Sequence, residues 1–182
     1  TQNLELSWDL FNISQGLHSV GGSVHVGFGP GRIANVPDVR NAHEFLNVLI
    51  LPFSFMHEIQ RKADFSLETA ILTTLDINRT FGEFSVDRGN SDVRYIHFDS
   101  PQFLAYADGQ ADFAKEKVNL HVLMRATRPR GQLPDRLVDT KGRPSIELYL
   151  KGDLNSPKPN LTFRKMQAGD VDEALAHGSK RG

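Results

Sequence analysis

This sequence predicts a mainly β fold: an antiparallel, strongly twisted sheet curled around a hydrophobic interior, with one Pro-kinked helix inserted. Three observations carry that expectation. From Phe65 to Ile77 the odd positions Phe65, Leu67, Ile71, Leu75 and Ile77 are apolar, while Ser66, Glu68, Thr74 and Asp76 alternate with them. The same alternation returns at Val118, Leu120, Val122 and Met124, with Asn119, His121 and Arg125 opposite, and at Ile146, Leu148 and Leu150, with Glu147 and Lys151 opposite. A period of two gives each strand one apolar and one mostly polar face. Between Asp38 and Ile59, by contrast, the apolar spacing is three and four, which is helical.

Taken in order, Leu4–Ser14 reads as a first strand of imperfect alternation, and Gly21-Gly22 marks a turn. Val24, Val26 and Phe28 then share one face of a strand. Gly29-Pro30-Gly31 is the strongest turn signal in the chain, and Arg32–Val36 reads as a short strand forming a hairpin with the strand of Val24, Val26 and Phe28. Pro37 and Asp38 open a helix, Asp38 suiting its N-cap. Val39, Ala42, Leu46 and Leu49 line one side of it, and Met56 and Ile59 continue the stripe. Pro52 lacks an N–H, so the helix should break there, into pieces over about 38–51 and 53–63. From Phe65 to Phe163 the pattern is strand and turn, apart from a Pro/Gly/Arg-rich loop over Thr127–Pro144. The expected organisation is one β-rich domain over 1–163 with its helical insert at about 38–63. A poorly ordered tail over 164–182 follows, carrying at most a short helix at 168–177. No sequence repeat of fixed period stands out.

Composition narrows the function classes. With 24% charged and 39% hydrophobic residues the 182-residue chain is ordinary for a folded domain. Its net charge of −1 argues against nucleic acid, since phosphate binding needs a basic surplus. It contains no cysteine, which excludes disulfides and thiolate metal sites. The longest apolar run, Phe45–Met56, contains Pro52 and falls well short of the roughly 20 residues a membrane helix needs. The chain opens at Thr1 with no charged-then-apolar leader, the expectation being a fragment or a processed product.

Residues that invite chemistry fit plainer roles. His43-Glu44 and His57-Glu58 lack the second histidine of the zinc-protease pattern, since Asn47 and Arg61 stand in its place. His25, His97 and His121 lie inside strands and read as solvated strand histidines. Gly27–Gly31 is glycine-rich but precedes a strand, and a phosphate cradle needs helix N–H groups beyond the glycines. No nucleophile elbow or nucleotide loop is present, and the Asn12, Asn78 and Asn160 sequons are short enough to arise by chance. The expectation is a non-enzymatic protein without metal or cofactor. Arg125, Arg128, Arg130, Arg136 and Arg143 concentrate in and beside the 127–144 loop. They are either solvated or contact an anionic lipid or protein surface, each basic residue contributing about 1 kcal/mol at a membrane.

The order of these signals carries a resemblance. An amphipathic strand over 65–77 leads to Asp99-Ser100-Pro101 and a strand ending at Gly109. A strand from Ala111 to Val122 follows, and the last strand closes with Gly152-Asp153-Leu154-Asn155-Ser156-Pro157. Upstream, Gly29–Pro37 precedes the apolar helix. Across about residues 22–162 this resembles the C-terminal region of the AsmA-like proteins, the bacterial envelope family that includes TamB. The resemblance implies an elongated, groove-shaped β structure in the periplasm, in a longer parent anchored in the inner membrane. It also implies a role in moving phospholipid between the inner and outer membranes, or else a scaffold for outer-membrane protein assembly. The partners implied are phospholipid or another acyl lipid and outer- or inner-membrane proteins.

Under that reading the groove candidates are Phe65, Leu67, Ile71, Leu75, Ile77, Val118, Leu120, Val122, Met124, Ile146, Leu148 and Leu150. Same-face residues repeat every ~6.6 Å, so three or four of them line about 20 Å, enough for one lipid tail. The sequence leaves open whether this face is such a groove or ordinary core. Phenylalanine, at 12 against three Tyr and one Trp, suits both.

Overall fold

The computed structural model describes residues 21–34, 74–87, 90–101, 103–112, 115–127, 135–154, 157–162 and 164–179. The strand expected at 4–14, the helical insert at 38–63 and the start of the 65–77 strand lie outside them. So do groove candidates Phe65, Leu67 and Ile71, and Arg128 and Arg130.

Nine strands and one helix are described: β1 (Gly21–Phe28), β2 (Gly31–Ala34), β3 (Thr74–Ile77), β4 (Arg79–Asp87), β5 (Asn90–Asp99), β6 (Phe103–Asp112), β7 (Lys117–Ala126), β8 (Ser145–Asp153), β9 (Pro157–Thr162) and α1 (Asp170–Ser179). The fold is mainly antiparallel β, as expected. Seven strands form one sheet in the order β1-β4-β5-β6-β7-β8-β9, open rather than closed into a barrel, and β2 pairs β3 separately.

The expected β1–β2 hairpin is corrected. β1 pairs β4, and β2 pairs β3. Phe28 faces Thr80 and Gly31 faces Ile77, so both pairings keep one register and form a single ladder interrupted at Gly29-Pro30. Pro30 offers no N–H to a ladder, so it interrupts the strand without reversing it.

From β4 onward each strand pairs with the next, through short connections except for the long 127–144 loop between β7 and β8. The β5–β6 turn is held by Ser100 N donating to Phe103 O, and the β7–β8 connection by Ala126 N donating to Pro144 O. β5 carries a bulge. Val93 faces Gly109 and Ile96 faces Ala107, so Arg94 and Tyr95 together oppose Asp108. The extra residue flips the alternation and places both Val93 and Ile96 on the same side. At the β9 edge, Pro157 and Pro159 have no N–H to offer another strand, a common way of blunting an edge.

The two faces of the sheet differ. One holds Val26, Phe84, Val93, Ile96, Phe98, Ala107, Leu120, Val122, Met124, Leu148 and Leu150 in a single buried cluster. On the other, outer face, Met166 and, from α1, Val171 and Leu175 dock against Leu104, Tyr106 and Leu123. Asp170, Asp172 and Glu173 in the first turn of α1 suit the positive end of the helix dipole. The short helix expected at 168–177 is therefore present. The expectation of a poorly ordered tail is corrected for residues 164–179, because three apolar side chains of this segment are buried against the sheet.

Candidate functional site

The apolar face is built by cross-strand pairing. Leu120 faces Leu150, Val122 faces Leu148 and Met124 faces Ile146, so the groove candidates of β7 and β8 interlock as three layers. One row crosses the sheet from edge to edge: Val26, Gly82, Ile96, Ala107, Val122, Leu148 and Leu161. A second runs through Val24, Phe84, Val93, Gly109, Leu120, Leu150 and Pro159. Six gaps of about 4.8 Å make this face roughly 29 Å wide. Gly109 is required where it stands. Its φ of +140° disfavours other residues, and an added Cβ would lie 2.2 Å from Asn119 O.

The structure brings together Ile77, Val118, Leu120, Val122, Met124, Ile146, Leu148 and Leu150, while Leu75 pairs Ile33 in the β2–β3 stretch. All eight are withdrawn from water, and Leu120, Val122, Met124, Leu148 and Leu150 are 0% exposed. Sequence reasoning missed the contributions of β4, β5 and β6. In β5 the bulge hides the alternation, and in β6 the apolar phase is carried by alanine and glycine, whose hydropathy is too weak to stand out.

Two of the basic residues expected to meet an anionic surface, Arg125 and Arg143, are engaged within the fold. Arg125 donates from both terminal nitrogens to Asp172 at 2.6 Å, pinning α1 to β7. Arg143 donates from Nε to Asp139 at 2.8 Å and from Nη2 to the carbonyl of Ala168. Buried Asp139 also accepts the backbone N–H groups of Lys141 and Arg143, which hold its carboxyl below the usual range although burial pushes the other way. The backbone of Arg136 lies in a short 3₁₀ turn, Asp135–Leu137. Arg143 shapes the loop, and Arg125 fastens the helix.

The outer face also corrects the solvated reading of His121 and His97. His121 Nδ1 lies 3.2 Å from Asp108 on β6, and Nε2 lies 2.8 Å from Glu147 on β8. The Tyr149 ring stacks on it at 4.9 Å. With a carboxylate at each nitrogen the ring is best held as imidazolium. The Asp108 hydrogen bond raises its pKa most, burial opposes it, and Glu147 adds to the rise. Glu147 accepts further from Thr162 Oγ1 and Arg164 Nε, both at 2.9 Å. Burial would raise its carboxyl, but Arg164, His121 and Thr162 outweigh burial and bring it down to about 2. His97 packs its ring 4.5 Å from Phe81, and burial lowers its pKa. Of the three strand histidines, His25 alone is exposed as expected.

With His121 bonded to Asp108 and Glu147, and Glu147 bonded on to Thr162 and Arg164, this network ties β6, β7, β8 and β9 together. Among the described residues no group of His, Asp and Glu has metal-site geometry, and no helix is long and apolar enough to cross a membrane. Comparison with protein families, curated proteins and solved structures found no match.

Proposed function

We propose that this protein is a non-enzymatic module of the bacterial cell envelope that carries phospholipid on the apolar face of its sheet, in the periplasm between the inner and outer membranes. One observation carries this reading. An open seven-stranded sheet presents an apolar face from β1 to β9, about 29 Å wide, with no charged side chain on it among the described residues. Such a surface matches acyl chains in length and polarity and has no hydrogen-bond selectivity to impose on them. The strand order and turn signals that resemble the AsmA-like proteins support the same assignment and suggest a curled, groove-like sheet.

A second reading has its own observation. Because Leu120, Val122, Leu148 and Leu150 are fully buried, the face also has the character of a closed core. The protein would then be a scaffold for outer-membrane protein assembly, binding through its outer face or edges. A photo-crosslinking residue at Leu120 or Leu148 separates the two in cells. Lipid adducts at either site are expected for the carrier. Protein adducts alone, or none, would overturn it in favour of the scaffold.

A further inference from the structure

The two edges of the seven-stranded sheet are built differently. β9 presents Pro157, Lys158 and Pro159, two residues without an N–H and an exposed ammonium, and such devices turn a further strand away. β1, at the opposite edge, has neither. Gly21–Phe28 contains no proline and no Lys, Arg, Asp or Glu. The strand pairs with β4 along its whole length in one register, without a bulge. Among the described residues no strand lies on its other side. A straight, uncharged edge with one row of N–H and C=O groups left over is a template for another strand.

The side chains of β1 say which strand fits. Val24 and Val26 stand on the apolar face. Val26 is 4% exposed, whereas Val24 is only partly buried against the core from the edge. Ser23 and His25 stand on the outer face, and both are exposed. A strand completing this edge must bring an apolar side chain beside Val24 and tolerate Ser and His beside it on the outer face. β1 itself meets both demands. Directly opposite residues of an antiparallel pair share a face. A copy of β1 turned about a two-fold axis at His25 therefore sets Val24 against the partner's Val26, Ser23 against the partner's Gly27 and His25 against the partner's His25. Apolar side chains meet on the apolar face, and no Lys, Arg, Asp or Glu is set against its like. The symmetry makes every such contact twice.

We propose that the β1 edge joins two copies of this chain, antiparallel and two-fold symmetric about His25, so that their sheets continue into one another with both apolar faces on the same side. The contact is the pairing of one strand with its copy, a small interface, and the dimer is accordingly weak and concentration-dependent. It holds whatever the apolar face carries.

The chain contains no cysteine, so a single introduced thiol reports the register. With a short bismaleimide, His25→Cys is expected to give a covalent dimer, because opposite side chains lie about 5 Å apart at Cβ. Ser23→Cys is expected to give none, since the axis offsets the two copies of residue 23 by about 14 Å along the strands, at ~3.4 Å per residue. Sedimentation equilibrium of the full wild-type chain is expected to show a reversible monomer–dimer equilibrium. His25→Lys and His25→Glu should each dimerise roughly fivefold more weakly, with like charges opposed, and an equimolar mixture of the two should recover the dimer. His25 is exposed, so these variants should keep the wild-type circular dichroism spectrum. A wild type that stays monomeric up to its solubility limit would overturn the proposal and hand the edge to another part of the chain. Dimerisation unchanged by both charges, no cross-link at His25→Cys, or equal cross-linking at Ser23→Cys would overturn it as well.

Discussion

His121 Nε2 lies 2.8 Å from the Glu147 carboxylate, and that contact joins β7 to β8 on the outer face directly opposite the Val122–Leu148 layer. Glu147 passes the connection to Arg164, and Arg164 Nη2 reaches Asp170 in the first turn of α1 at 3.3 Å. Charges of alternating sign thus run from Asp108 through His121, Glu147 and Arg164 to the helix, and four predictions draw on this outer face and the apolar face behind it.

Stability should fall on both sides of neutrality for different reasons. His121 has a folded pKa above its ordinary 6.5, so its contribution is complete below that value and is lost as pH rises through the folded pKa. Glu147 is lowered from 4.5 to about 2, so its contribution is complete above 4.5 and is lost as pH falls toward 2. Urea unfolding across pH should show both losses. In His121→Gln the alkaline loss is expected to flatten, and in Glu147→Gln the acid one. Unchanged profiles in both variants would mean the network does not hold in solution.

Arg125→Met should loosen α1 selectively. The Arg125 side chain is 11% exposed while Asp172 is 53% exposed, so the pair is partly solvated and worth about 1 kcal/mol. Amide exchange should quicken across 170–179 and remain slow in β6 and β7. Uniform acceleration through the sheet would show that the ion pair supports the whole fold instead.

Gly109→Ala should be far costlier than Gly27→Ala. At Gly109 the new Cβ meets backbone at 2.2 Å with φ at +140°, whereas at Gly27 it meets nothing within 4 Å. We expect a loss of about 3 kcal/mol or more at Gly109 and within about 0.5 kcal/mol at Gly27, read from denaturant midpoints. Equal effects would contradict the close approach of β6 to β7.

Leu120→Asp tests the state of the apolar face. Leu120 is 0% exposed, so a closed core would have to bury an unpaired carboxylate, at a cost of several kcal/mol, and the chain would unfold. A face that opens to lipid leaves the carboxylate partly hydrated, giving a folded protein with less bound lipid. Circular dichroism and lipid content together decide which holds.

Alternation alone determined much of this protein. In β7 and β8 every second side chain is apolar, and the phase read from Val118–Met124 and Ile146–Leu150 is the phase the sheet uses, because a strand buried on one face leaves no freedom in which side turns inward. The terminal helix, expected at 168–177, forms at Asp170–Ser179. Other features required the tertiary structure. The partner of β1 is β4, more than fifty residues away in the chain, and local turn chemistry at Gly29–Gly31 carries no information about so distant a strand. The β5 bulge shifts the phase within a strand, which a fixed period cannot register. His121 looked solvated because its partners, Asp108 and Glu147, are each more than ten residues away, and only the β6-β7-β8 register sets them on either side of it. Arg125 looked free for the same reason: the carboxylate that holds it is Asp172 on α1, a helix placed there by the burial of Val171 and Leu175 against the sheet.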